Sequence, residues 1–127
     1  GILQGRSETV FDGLVKVFEG AQKTDAVQEN RNLVLGKRAL AHSNPRLEIF
    51  ADDVKCTHGS TVGELDEEAL FYLRTRGISA EGAQGMLTLA FAGEIVDMFR
   101  VSGVRDHVRR VLMRRLGVED ADIGEIL

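Results

Sequence analysis

Cys56-Thr57-His58 is the stretch whose residue types and spacing could do chemistry. On a β-strand, residues i and i+2 point to the same face, about 7 Å apart at a rise of ~3.3 Å per residue. A thiolate and an imidazole so placed suit zinc, copper or an iron–sulfur species. Two ligands do not close a four-coordinate site, so the others would come from elsewhere in the fold or from a partner chain. The competing reading is a small buried hydrophobe beside a hydrogen-bonded surface histidine. Nucleophilic catalysis by Cys56 would need a base oriented by a third group, and no residue can be assigned that part. Asp52 and Asp53 read as turn formers rather than an acid–base pair. Gly82, Gly85 and Gly93 fall within a helical pattern and form no phosphate-cradling loop.

The elements that would carry these residues change character near residue 64. From Ile2 to Val62 there are short apolar runs separated by polar turns: Val10-Phe11, Leu14 to Phe18, Leu33 to Leu35, Leu47 to Phe50, and Val54 to His58. Each spans ~3–5 residues, and several alternate with period two, as half-buried strands do. Asp12-Gly13, Glu19-Gly20, Gly36, Asn44-Pro45 and Asp52-Asp53 supply turn chemistry between them. Such a pattern fits a sandwich, a barrel or a solenoid. The Asn and Gln residues between Gln22 and Asn32 favour a solenoid, whose stacked turns can align amides, although no exact repeat period is visible.

From Leu65 the period is helical. Asp66 is a good N-cap, Glu67 and Glu68 suit the first turn, and Gly77 fits the stop. Ser79 caps a second helix whose apolar positions are Ala83, Met86, Leu87, Ala90, Phe91, Ile95 and Met98. Gly82, Gly85 and Gly93 each weaken it, which close backbone packing would explain. A third helix is expected from about Gly103 to Leu116, with Val104, Val108, Val111 and Leu112 as its buried stripe and Gly117 as its end. The acidic tail Glu119 to Asp122 is expected to fray. Leu70 to Leu73 puts four large groups at consecutive helical positions, ~100° apart, so they cannot share one core face. They are expected to pack against the β unit, a helix or a partner, with core packing read before a docking surface.

The chain has 127 residues, 43% hydrophobic and 28% charged, and fits one globular domain of ordinary size. A net charge of −4, from 16 basic and 20 acidic residues, argues against a polyanion binder. The arginines Arg100, Arg105, Arg109, Arg110, Arg114 and Arg115 therefore read first as a solvated face, then as a protein contact, and last as a nucleic-acid surface. A single cysteine rules out an internal disulfide and suits a reducing, cytoplasmic setting. No run approaches the ~18 apolar residues of a membrane span. The opening Gly1-Ile2-Leu3, without methionine, suggests a fragment of something longer.

Four blocks, in this order and spacing, resemble the C-terminal part of the SufD branch of the SufB/SufD family. They are Gly20 to Asp25, Gln28 to Leu33, Leu47 to Gly59 and Leu65 to Ile78, and the resemblance runs from about residue 12 to residue 98. SufB-type chains share the Phe-Tyr-Leu-x-x-Arg-Gly block but are similar to a His-Glu-Ala sequence where this chain has Cys56-Thr57-His58-Gly59. That difference points to the SufD branch. The resemblance implies a scaffold subunit of SUF iron–sulfur cluster assembly, not an enzyme in itself. It implies a mainly β chain with α: the last turns of a right-handed parallel β-helix (residues 1–64), then a helical C-terminal subdomain (residues 65–127).

The family's implied partners are a SufB-type homologue, met through the β-helix, and a SufC-type ATPase, met through the helical subdomain. Cys56 and His58 match the family's cysteine and histidine near the subunit interface, where a transient iron–sulfur cluster forms; the histidine is the stronger candidate. Phe71, Tyr72, Leu73, Arg74 and Arg76 match the helix implied in ATPase docking. No stably bound cofactor, nucleic acid or membrane is expected, and the exposed strand edges favour a homodimer in isolation. The alternative is a small metal-binding protein with a site built on Cys56 and His58.

Overall fold

The computed structural model describes residues 1–118, so the expectation for the acidic tail lies outside the described residues. The chain divides into two compact units, Gly1–Glu64 and a second that begins at Leu65.

The first unit holds five strands: β1 (Ile2–Leu3), β2 (Glu8–Val17), β3 (Asp25–Val34), β4 (Leu40–Ile49) and β5 (Lys55–Gly63). All pairings are parallel, and successive strands alternate between two sheets of order β1-β3-β5 and β2-β4. Ile2 pairs with Leu33, Glu8 with Leu40 and Asp25 with Lys55, so each strand lies beside the chain about 30 residues later. That period is carried by backbone register and not by residue identity, which is why it is invisible in the sequence.

The strands are longer than the apolar runs suggested: ten residues each in β2, β3 and β4, nine in β5. Asp12-Gly13 and Asn44-Pro45 are not turns. They sit in mid-strand, and in register, Asp12 opposite Asn44 and Gly13 opposite Pro45. Proline lacks a ladder donor and is tolerated because, among the described residues, β4 has only β2 beside it in its sheet. Gly13 is there for space, since a Cβ would fall 2.5 Å from Gln28 Nε2 and 2.6 Å from the Phe11 ring.

The remaining turn residues act as corners that stack. Gly5 takes a positive φ of 60° in the turn closed by Ser7 N donating to Gln4 O at 3.0 Å. Gly36 lies against it: a Cβ at Gly36 would meet Gly5 O at 2.5 Å and Gly5 N at 2.6 Å. At another corner Lys23 N donates to Asp53 O at 2.7 Å, Lys23 Nζ pairs with the Asp53 carboxylate, and Asp53 N donates to Gln22 Oε1 at 2.9 Å.

In the second unit the helices are α1 (Glu67–Thr75), α2 (Ala80–Val96) and α3 (Ser102–Leu116). Asp66 caps α1 by accepting from Glu68 N at 2.8 Å, Ser79 caps α2 by accepting from Gly82 N at 3.0 Å, and Gly117 ends α3 in the left-handed region. The buried faces are partly shifted from expectation. In α2 the fully covered positions are Gly82, Ala83, Gly85, Thr88 and Val96, whereas Ala90, Ile95 and Met98 are exposed. Thr88 can be buried because its hydroxyl donates to Gln84 O at 2.7 Å. In α3 the stripe runs through Arg105, Val108, Leu112, Met113 and Leu116, leaving Val104 and Val111 at its exposed flank. Gly85 admits close packing, since a Cβ there would meet Val118 Cγ2 at 2.7 Å and Leu116 O at 3.0 Å; Gly93 has open space around its missing Cβ.

The corner stacking gives a direct test. Gly36→Ala pushes a methyl group into backbone that cannot step aside and should cost about 1–3 kcal/mol in urea unfolding. Gly20→Ala, whose Cβ meets nothing within 4 Å, should stay within about 0.5 kcal/mol of the parent. Equal effects would contradict the stacked corners.

Candidate functional site

The candidate site lies on β5, the end strand of its sheet, which has β3 on one side and no strand on the other among the described residues. Register places Cys56 opposite Ala26 and His58 opposite Gln28. From Asp25 to Asn32 the more buried residues of β3 are Ala26, Gln28, Asn30 and Asn32, so Cys56 and His58 share the inward-directed parity of this part of the sheet. Cys56 is half-buried and His58 exposed. The sequence-based expectation of one shared face is met. Among the described residues no three or more His, Cys, Asp or Glu side chains gather as a metal-binding group. This strand therefore brings two donors together and no more.

Behind the site, polar side chains fill the space between the sheets. Asn32 Nδ2 donates to Asn30 Oδ1 at 2.7 Å and reaches Thr61 O at 3.4 Å, and Ser43 Oγ of the other sheet donates to the same Asn30 Oδ1 at 2.8 Å. The amides expected to align in stacked turns do meet, but as a cross-sheet chain within strands. Gln28 continues this row. Its Oε1 has no accessible surface and no hydrogen-bond partner among the described residues. Sequence reasoning placed Gln28 in the amide stretch from Gln22 to Asn32 but gave it no part in the candidate site. The only signal was its place two residues before Asn30 in an alternating strand.

The outward face of β2 and β4 carries Glu8–His42 at 2.8 Å, Asp12–Arg46 at 2.9 Å and Lys16–Glu48 at 3.4 Å. Exposed Val10, Leu14 and Leu40 are interleaved with these pairs. Lys16 Nζ also lies 5.6 Å from the Phe18 ring centroid and 5.3 Å from that of Phe50.

The residues expected to meet a partner are all on or just after α1. Leu73 is half-buried with Ala69 and Leu70, while Phe71, Tyr72, Arg74 and Arg76 are exposed, Phe71 by 70% and Tyr72 by 56%. Arg76 Nη2 donates to Tyr72 Oη at 3.0 Å and its guanidinium lies 5.1 Å from the Tyr72 ring centroid, which stiffens both side chains. The α3 arginines are divided: Arg105 is half-buried, Arg109 pairs with Asp97 at 2.7 Å, and Arg114 Nε reaches Arg110 O at 3.5 Å.

Asn30 is the acceptor shared by two donors, so its loss should be felt beyond its own size. Asn30→Leu should cost about 2–3 kcal/mol in urea unfolding, because it strands the Asn32 amide, which is 4% exposed. A neutral outcome would mean that the amide chain does not hold the interior.

A sequence profile for "SUF system FeS cluster assembly, SufBD core domain" matches residues 1–91. The chain is 45% identical over 115 residues to the iron–sulfur cluster assembly protein SufD of Escherichia coli K12, covering 91% of this chain and 27% of that protein. It is 41% identical over 114 residues to a SufBD-family iron–sulfur cluster assembly protein of Synechocystis, covering 90% of this chain and 25% of the other. It is 41% identical over 108 residues to Protein ABCI7, chloroplastic, of Arabidopsis thaliana, covering 85% and 23%. This chain thus spans about a quarter of the length of these relatives. No helix among the described residues is long and apolar enough to cross a membrane. With the family profile covering most of the chain and SufD relatives at 34–45% identity over 91% of it, the chain belongs to the SufBD family of SUF-system iron–sulfur cluster assembly proteins, as a SufD-type C-terminal region.

Proposed function

We propose that this chain is the scaffold end of a SUF cluster-assembly subunit, without catalytic activity of its own, working in the cytoplasm. Its β unit forms the last turns of a right-handed parallel β-helix and pairs with a SufB-type homologue. Its helical unit docks a SufC-type ATPase. Cys56 and His58 face the shared interface and supply part of the ligand set for a transient iron–sulfur cluster, which is cargo and does not stay bound to this chain.

The observation that carries the reading is the placement of one thiol and one imidazole on the same face of an end strand. Two donors are too few for a closed zinc site. They are what one half of a shared site would contribute. The alternation of parallel strands between two sheets supports the β-helix. Exposed Val10, Leu14, Phe18, Leu40 and Phe50 support pairing through the β unit, and they favour a homodimer when the homologue is absent. Exposed Phe71 and the Tyr72–Arg76 pair support the docking role of α1.

Calorimetry of the 127-residue chain with a SufC-type ATPase tests the docking. Phe71→Asp is the informative variant, since Phe71 is exposed and its change leaves the half-buried Leu73 in place. The parent should bind and the folded variant should lose at least roughly tenfold in affinity, about 1.4 kcal/mol. A well-folded parent that does not bind would remove the docking role. Stoichiometric zinc retained after dialysis would instead favour a self-contained metal site on Cys56 and His58.

A further inference from the structure

We propose that Gln28 is a positioning residue for His58: its buried Oε1 accepts a hydrogen bond from an imidazole N–H and so fixes which ring nitrogen stays free for a ligand. The two residues are register partners on adjacent parallel strands, about 4.8 Å apart along the hydrogen-bonding direction, with side chains on one face. Gln28 Oε1 is sealed from solvent and has no donor. An orphaned buried acceptor costs about 1–3 kcal/mol, so a donor within reach is drawn to it.

The candidate donors on β5 are few. Ser60 is the register partner of Asn30 and lies only diagonally from Gln28. Cys56 lies diagonally from Gln28, and a thiol is a weak donor. His58 is directly opposite, carries a strong N–H donor and is exposed, so its ring is free to turn. The far end of the Gln28 side chain is held where Gly13 leaves space, 2.5 Å from the position a Cβ there would take. The acceptor is thus held within the unit while the donor moves. Histidines that bind metals commonly hold one ring nitrogen with such a partner, which sets the tautomer and direction of the other.

The bond itself needs no iron, sulfur or partner; its consequence for cluster assembly rests on the function proposed above. The test is nitrogen NMR of the 127-residue chain at mildly alkaline pH, read for the tautomer of the neutral ring. His58→Gln identifies the His58 signals among the three histidines. The parent should show a single His58 tautomer and a nuclear Overhauser contact from its ring N–H to the Gln28 side-chain amide. Gln28→Met, of similar length without an acceptor, should return His58 to the mixed tautomers of free imidazole, while Gln28→Glu keeps the single one. Mixed tautomers in the parent would overturn the proposal without any variant, as would a single tautomer that survives Gln28→Met. In the assembled complex, Gln28→Met should lower cluster loading by roughly tenfold. If His58→Ala leaves loading unchanged while the parent tautomer is single, the hydrogen bond stands and the cluster-facing reading falls.

Discussion

The interior of the β unit is held by amides that have to find one another. Asn32 is almost wholly buried, and its Nδ2 is satisfied by Asn30 of its own strand and the Thr61 carbonyl of the next. Asn30 in turn ties β3 to Ser43 in the opposite sheet. Of these bonds, the one from Asn32 to the Thr61 carbonyl reaches β5. Sliding β5 by one residue along β3 would turn its side chains to the other face. An apolar interior tolerates such a slip more easily, because hydrophobic contact is non-directional. The polar chain therefore does what a larger apolar core would not: it fixes which residue lies opposite which. In the register of the parallel ladder His58 faces Gln28, and Cys56 faces Ala26.

The same constraint explains what could and could not be read from the residues. Asp66, Ser79, Gly77 and Gly117 act through local hydrogen bonds and backbone conformation, so helix boundaries were legible. Strand lengths were not. Asp12-Gly13 and Asn44-Pro45 are strong turn signals, yet they oppose each other inside two long strands. Gly13 leaves room for the Gln28 amide from another strand, and Pro45 sits on a strand with a single neighbour among the described residues. Neither circumstance exists until the chain has coiled back on itself. The stretch from Gln22 to Asn32 reads as stacked turns aligning amides, and it is instead largely a strand whose inward polar residues find their partners in β4 and β5.

In the helical unit the consecutive large residues of α1 separate as helical geometry demands. Leu70 and Leu73 turn toward cover while Phe71 and Tyr72 remain exposed. Periodicity placed the buried stripes of α2 and α3 only approximately, because Gly85 lets α2 approach the end of α3 through a face with no side chain. A hydrophobicity pattern gives glycine little weight in that choice. Gly93 has no such contact, so close backbone approach accounts for Gly85 and not for Gly93.

An end strand is a poor place for a permanent metal and a suitable one for a passing group. Under the proposed function, two donors on β5 would hold less tightly than four, and the exposure of His58 would leave the ring open to exchange. The proposed pairing with a second subunit would add ligands only while the subunits are together, so assembly and release would follow the contact between chains. Such a site gains little from affinity on one side. It gains from orientation, because each half must present its ligands correctly before the other arrives. That makes the directional, buried amide row behind β5 more consequential than the number of ligands in front of it.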